Sequence, residues 1–314
     1  MAGILDSVDQ RTKLAGHNRL ELLLFRLHGN QQFAINVFKV REIIHCPKLV
    51  QLPESHHTIV GIANLRGNAV PIIDLSYAMG EPPADNIQEK FVVLTEYNRR
   101  TQGFLVEAVE QIINISWEEV FPPPMGVTYM TAVIKNREEL IEIVDVEKVL
   151  SEIQGFDQTV SQAILEGGAG LGVGHHILVA DDSFVARTQV KTVLDQLGVE
   201  ATVVNDGLAA YNQLLAWVDE GKFDDPNWLA MIISDIEMPQ MDGYSLVSKI
   251  REHPVLKGLY VVLHTSMSGD FNESMIESVG ADQFLAKFAA NDLAATVEAR
   301  LHVVAEATAK ANGG

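Results

Sequence analysis

Four short apolar runs in the second half of this chain each lead to a polar residue of a particular kind. Ile177-Leu178-Val179-Ala180 runs into Asp181 and Asp182, and Met231-Ile232-Ile233 leads through Ser234 to Asp235. Val261-Val262-Leu263 leads through His264 to Thr265, and Phe284-Leu285-Ala286 runs into Lys287. Continuous apolar runs of this length read as parallel strands buried on both faces. In an open α/β sheet the carboxyl ends of such strands meet at one crevice. The pattern therefore predicts three carboxylates, a hydroxyl and an ammonium around one point. Adjacent carboxylates are costly unless a cation neutralises them, so the set calls for a divalent ion. Mg2+ suits it, because its octahedral shell keeps waters and leaves places for a phosphoryl group. Asp235 is then a nucleophile toward phosphorus, Lys287 screens charge on the phosphoryl oxygens, and Thr265 donates a hydroxyl hydrogen bond. A single aspartate at a strand end is more often a cap or turn residue. The reading rests on the joint order of the set.

The spacing between these runs supports a sheet of that kind. Phe184–Leu197 carries apolar residues at helical spacing and is closed by Gly198. Val199–Val204 reads as a strand, Leu208–Val218 as a helix and Leu229–Ser234 as a strand. Tyr244–Arg251, Leu259–His264, Ser274–Val279, Asp282–Ala286 and Asp292–Ala305 continue the alternation. Five βα units predict a doubly wound, flavodoxin-like α/β domain with a five-stranded parallel sheet over residues 176–306. Residues 307–314 read as a frayed tail.

The first half has a different rhythm. Leu20–Leu27 and Phe33–Val37 flank the turn signal His28-Gly29-Asn30-Gln31. Ile59–Leu65 and Ala69–Leu75 flank Arg66-Gly67-Asn68, a tight hairpin in which Gly and Asn tolerate positive φ. Phe91–Tyr97 pairs with Gly103–Val109, and Ala132–Lys135 with Leu140–Val144. Many short strands without helices between them predict an all-β domain over residues 1–155, built of barrels or sandwiches. Pro122-Pro123-Pro124 marks a stiff connection. Between the domains, residues 156–175 hold GGAGLGVG over 167–174, which reads as a flexible linker.

Charge and cysteine content narrow the function. Net charge is −19, with 14 Lys and Arg against 20 Asp and Glu in residues 1–155, and 9 against 22 in residues 156–314. So acidic a chain repels phosphate backbones, which argues against nucleic acid as a partner. The single Cys46 cannot form an internal disulfide, as expected in a cytoplasmic protein. No apolar run approaches the roughly 20 residues of a membrane span, and the amino-terminal residues lack the pattern of a signal peptide. His56-His57 and His175-His176 have neither helical His-x-x-x-His spacing nor a cysteine partner, so both read as surface histidine pairs. Neither a phosphate-binding loop nor kinase ATP-binding segments are found.

Residues 176–301 resemble a response-regulator receiver domain. Asp181 and Asp182 match its acidic pair, Asp235 its phosphoacceptor, Thr265 its switch hydroxyl, Lys287 its lysine and Phe284 its aromatic switch. Met238-Pro239-Gln240-Met241-Asp242-Gly243 matches the loop after the phosphoacceptor. The resemblance implies that Asp182 and Asp235 bind Mg2+ directly, with the backbone carbonyl of Glu237 as a third protein ligand and Asp181 acting through water. It departs at Phe288, where the family has proline, and carries Glu237 and Met267 where side chains flank the water that removes the phosphoryl group.

Residues 20–150 resemble the CheW coupling domain of bacterial chemotaxis, on the strength of Gly61-Ile62-Ala63-Asn64-Leu65-Arg66-Gly67-Asn68-Ala69-Val70-Pro71-Ile72-Ile73-Asp74-Leu75 and of Val40-Arg41-Glu42-Ile43-Ile44. That family folds as two five-stranded SH3-like barrels and binds chemoreceptor tips and the histidine kinase CheA. Arg66 matches a receptor-contact residue; from its position alone it is an ordinary turn arginine. A coupling domain joined to a receiver is the CheV architecture. It implies a cytoplasmic scaffold at receptor arrays on the inner face of the membrane, not itself an enzyme, controlled by phosphorylation of Asp235 and serving adaptation or as a phosphate sink. Two rivals are a Mg2+-dependent phosphatase of the haloacid dehalogenase type and a purely structural coupler with an inert receiver. The first requires Asp-x-Asp-x-Thr/Val after the first strand, and Asp181-Asp182-Ser183-Phe184-Val185 does not fit.

Overall fold

The computed structural model describes residues 19–97, 100–116, 119–124, 126–136, 139–154, 159–265, 280–287 and 289–312. The chain divides into two compact units, one over residues 19–155 and one from residue 156 onward.

The first unit holds eleven strands among its described residues: β1 (Arg19–Arg26), β2 (Gln32–Asn36), β3 (Val40–His45), β4 (Ile59–Leu65), β5 (Asn68–Asp74), β6 (Phe91–Tyr97), β7 (Arg100–Val106), β8 (Ala108–Ser116), β9 (Val120–Phe121), β10 (Met130–Asn136) and β11 (Glu139–Val144). Helix α1 (Leu75–Ala78) follows β5, and α2 (Val146–Gln154) follows β11. One sheet has the order β8-β1-β2-β11-β10-β9, the other β3-β6-β7-β5-β4. The sheets thus have six and five strands where two sets of five were expected, the two-residue β9 being the addition. Leu20, Leu22 and Leu24 alternate inward from β1 onto Ile134 and Ile141, and Ile72, Val92 and Leu105 fill the second core. Period-two burial of this kind is what one-sided antiparallel sheets produce.

Two local readings of the sequence need correction here. The single strand expected over Gly103–Val109 is split: β7 ends at Val106, and β8 runs on from Ala108 to Ser116. Only Glu107 separates the strands, its N–H bonded to the Arg26 carbonyl at 2.8 Å, and there the chain passes from one sheet to the other. No glycine or proline marks the switch. At the β4–β5 hairpin Asn68 is already in the ladder opposite Leu65, and the left-handed residues are Arg66 (φ 53°) and Gly67 (φ 86°). A two-residue loop with both residues at positive φ matches the strand twist. Asn64 supports it by accepting the Gly67 N–H at 3.1 Å.

The second unit contains α3 (Gln162–Gly167), β12 (His176–Ala180), α4 (Phe184–Gln196), β13 (Glu200–Val204), α5 (Gly207–Asp219), β14 (Leu229–Asp235), α6 (Gly243–Glu252), β15 (Val261–Thr265), β16 (Gln283–Ala286) and α7 (Ala290–Asn312). Its strands lie in the order β13-β12-β14-β15-β16, all parallel, as the five βα units require. Every residue of β14 and β15 is buried. Val190, Val193 and Leu194 of α4 pack with Leu293, Val297 and Leu301 of α7 in one core cluster. Leu214 and Trp217 of α5 pack with Leu246 and Ile250 of α6 in the other. The helix expected over Ser274–Val279 lies outside the described residues.

Two boundaries move. α7 continues to Asn312, so the tail expected to fray from 307 is helical up to that residue. Part of the segment expected to be a flexible linker packs on the unit: Val160 is 3 % exposed within the α4–α7 core, and Ile164, Leu165 and Leu171 pack against it. Its glycines permit close approach as well as freedom, a choice composition cannot make.

His176 is also not the surface residue expected. Its ring stacks on Trp228 at 5.0 Å, meets the edge of Trp217 at 5.4 Å, and its Nε2 lies 2.8 Å from the Thr202 hydroxyl. Burial lowers its pKa, with Glu200 opposing the shift and Lys222 adding to it. The folded unit therefore binds a proton at His176 less readily than the unfolded chain, whose imidazole titrates near about 6.5. His176 should contribute its full stabilisation above that pH and lose it as pH falls through the folded value. Urea midpoints followed by Trp217 and Trp228 fluorescence should fall more steeply below about pH 6.5 in wild type than in His176→Gln. Parallel curves would refute this.

Candidate functional site

The carboxyl ends of β12, β14, β15 and β16 carry Asp181, Asp235, Thr265 and Lys287, all at most 3 % exposed, with Asp182 half-buried beside them. Ligand atoms of Asp181, Asp182 and Asp235 lie within 4.8 Å of one another. Lys287 Nζ sits between two of them, 2.9 Å from Asp181 Oδ2 and 2.8 Å from Asp235 Oδ2. Residues more than a hundred positions apart thus meet as the sequence predicts.

Each side chain is set by its strand and the turn after it. Asp181 Oδ1 accepts the Ser183 N–H at 2.9 Å, while the Ser183 hydroxyl caps α4 by accepting the Ala186 N–H. Asp235 Oδ1 accepts the Ile236 N–H at 2.7 Å, which orients the carboxylate. Lys287 N–H bonds the Thr265 carbonyl at 2.8 Å, tying the loop after β16 to the end of β15. The loop after β14 returns through Gln240 at φ 61° to the capping residue Asp242, and the Gly243 N–H bonds the Ile236 carbonyl at 2.8 Å.

The surroundings are largely buried and acidic. The Tyr244 phenol is pushed far above its usual range, first by burial and then by the charges of Glu237, Asp242 and Asp235. Burial also raises Asp242, against hydrogen bonds led by that from the Ser245 N–H. Three carboxylates and one ammonium leave a formal charge of −2 in the crevice. The donors are all oxygen, so the set fits a hard dication such as Mg2+. A carboxylate so placed can attack phosphorus while the ammonium faces the oxygens that gain charge.

Other expected residues fall in varied places. Glu237 lies two residues beyond Asp235, on the same loop. Phe284, on β16, is half-buried against the α5–α6 cluster. Met267 and Phe288 lie outside the described residues. Arg66 belongs to the other unit, its side chain 82 % exposed and paired with Glu42 at 3.0 Å. Sequence reasoning missed Arg187, whose guanidinium donates to the Asp181 carbonyl at 2.6 Å and braces the turn bearing the acidic pair. A lone arginine one turn into a helix gives no sign of such a bond. Among the described residues no histidine or cysteine joins a metal-ligand cluster.

Comparison with known proteins separates the same two units. Residues 21–154 match the CheW-like domain family, and residues 177–298 match the response regulator receiver domain family. The chemotaxis protein CheV3 of Helicobacter pylori is 31 % identical over 287 residues, covering 86 % of this chain and 91 % of the relative. CheV1 of the same organism is 26 % identical over 320 residues, covering 95 % and 98 %. Among solved structures, the scaffolding protein TtCheW from Thermoanaerobacter tengcongensis is 25 % identical, covers 40 % of this chain and 88 % of its own, and has a TM-score of 0.38.

Proposed function

This chain belongs to the CheV family of chemotaxis proteins, a CheW-like domain followed by a receiver, and from that premise we propose that it couples chemoreceptor tips to the histidine kinase CheA under the control of Asp235 phosphorylation. The observation that carries the proposal is the Lys287 ammonium held at 2.9 and 2.8 Å between Asp181 and Asp235, with Asp182 completing the acidic group. An inert receiver has no need of a buried cluster with a residual charge of −2, which disfavours folding unless a ligand offsets it.

The Asp235 carboxylate attacks the phosphorus of a phosphohistidine on the kinase. The new O–P bond forms as the N–P bond breaks, and the departing imidazole takes a proton from solvent. Lys287 turns its ammonium to the transferred phosphoryl oxygens, and Thr265 donates its hydroxyl to one of them once they arrive. Asp182, Asp235 and the Glu237 carbonyl would hold Mg2+, with Asp181 acting through water, and the bound ion would supply neutralisation of the remaining phosphoryl charge. Phe284 would respond as the aromatic switch, and water would later hydrolyse the acyl phosphate. Phosphorylation shifts a pre-existing equilibrium of the receiver, and the chain works at receptor arrays on the inner membrane face. Among the described residues no helix is long and apolar enough to cross a membrane.

Incubation with phosphorylated CheA and Mg2+ tests the reading. Label should pass to wild type and not to Asp235→Ala. Equal labelling of the two, or turnover of p-nitrophenyl phosphate without a kinase, would overturn it. On the coupling domain, Arg66 makes only an exposed ion pair, worth at most about 1 kcal/mol. Arg66→Ala therefore reports contact rather than folding, and should weaken receptor binding several-fold. Unchanged binding would remove Arg66 from the interface.

A further inference from the structure

Residues 159–175 precede the receiver family match, carry none of the phosphoryl chemistry, and yet are fastened to the receiver at both ends of the crevice's supporting helices. The Ser161 N–H donates to Asn291 Oδ1 at 2.8 Å, in the first turn of α7. The Val160 N–H donates to Gln196 Oε1 at 3.3 Å, in the last turn of α4. Val160 itself is buried in the α4–α7 core, and Ile164, Leu165 and Leu171 pack against that core.

The glycines fit this docking. At Gly167 a Cβ would meet only the tip of the Glu298 side chain of α7, which can move aside, so the tight seat is at Gly172. A Cβ on Gly172 would stand 2.6 Å from Val199 Cγ2 and 2.8 Å from the Gly198 carbonyl oxygen. Gly170 and Gly174 take φ of 79° and 85°, turning the chain back toward β12. A segment with these constraints is a shaped strap.

We infer that this strap is docked while Asp235 is unmodified and is released when Asp235 is phosphorylated. The inference rests on the phosphorylation reading above and adds a response to it. The anchor residue Asn291 lies four positions after Lys287, at the start of the helix that Lys287 leads into. Lys287 is held from both sides, by Asp181 and Asp235 through Nζ and by the Thr265 carbonyl through its N–H. A phosphoryl group on Asp235 takes over the ammonium and moves the point it must reach. The backbone bond to Thr265 carries that displacement into the loop and the first turn of α7. There the Ser161–Asn291 hydrogen bond joins α7 to the strap beside the apolar seat of Val160, and its geometry cannot follow a shift of the helix start without loss.

Release would free about 17 residues of chain, which span roughly 55 Å at full extension. The same covalent connection would then give the receiver a much larger search volume and a lower effective concentration at any partner of the coupling domain.

Hydrogen exchange of the full chain, with and without Mg2+ and beryllofluoride, tests the inference, with 19F resonance of the bound adduct measuring occupancy. Peptides over residues 160–173 should exchange at least fivefold faster in the adduct. Ser161→Pro keeps the native φ of −63° and deletes the N–H. It should exchange fast without the adduct and change no further on its addition, and Asn291→Ala should match it. Bound adduct with unchanged or slower strap exchange would overturn the release alone. Failure of the adduct to bind would overturn the reading of Asp235 and the release with it.

Discussion

Lys287→Met is expected to destabilise the receiver by about 3–5 kcal/mol in the absence of divalent cations, the usual cost of removing one partner from a buried charge group. The methionine keeps the length of the side chain but removes the ammonium that faces Asp181 and Asp235. At 2 % exposure no water can replace it cheaply. Millimolar Mg2+ should recover a larger share of stability in the variant than in wild type, because a dication offsets the same carboxylates. Urea unfolding with and without Mg2+ measures both effects. Equal stability of variant and wild type without Mg2+ would show that the ammonium does not hold the crevice together.

The second large effect is expected from Gly243→Ala. Gly243 opens α6 with ordinary helical backbone, where helix propensity alone favours alanine by about 1 kcal/mol. The crevice reverses that sign. A Cβ there would stand 2.3 Å from the Asp235 carbonyl oxygen and 3.0 Å from Ile236 Cα, both backbone atoms of the segment bearing Asp235. Rigid atoms cannot yield as a side-chain tip can, so a loss of about 1–3 kcal/mol is expected. Displacing Asp235 from Asp182 and Lys287 should also slow phosphorylation tenfold or more, since misplacement of about 1 Å can cost a hundredfold in rate. Gly167→Ala is the control, because its Cβ would meet only the mobile carboxylate of Glu298 and should change stability by less than about 0.5 kcal/mol. A stabilised, fully active Gly243→Ala would refute the argument from close approach.

The acidic crevice is legible in the sequence because parallel strands buried on both faces leave an unmistakable trace: Met231–Ile233 and Val261–Leu263 have no polar position to hide. The order of those runs is also their order of assembly, so Asp181, Asp235, Thr265 and Lys287 could be placed together without coordinates. Where two physical causes leave the same trace, reading fails. Glycine at 167 and 172 suits a loose tether and a tight seat equally. Glu107 is an ordinary strand residue, so the passage between sheets at that point has no sign. At the hairpin, Asn68 is the usual bearer of positive φ, but Arg66 bears it, and its ion pair with Glu42 depends on β3, twenty-four residues away. The role of the first half was never readable from pattern alone. Its strands announce a β-domain, and only likeness to known coupling proteins says what that domain couples.

The parallel pairing of β2 with β11 sets Phe33 opposite Glu142 and Ala34 opposite Ile143. Everything from Val40 to Val106, the whole of the other sheet, is therefore an insertion between early and late strands of the first. On the ribosome the inserted module can finish folding while β1 and β2 still wait for β8, β10 and β11 to be made. During that interval the nascent chain presents an open apolar strand edge of the kind that pairs with other chains. A chain cut short before residue 139 would keep a complete inner module and never close the outer one.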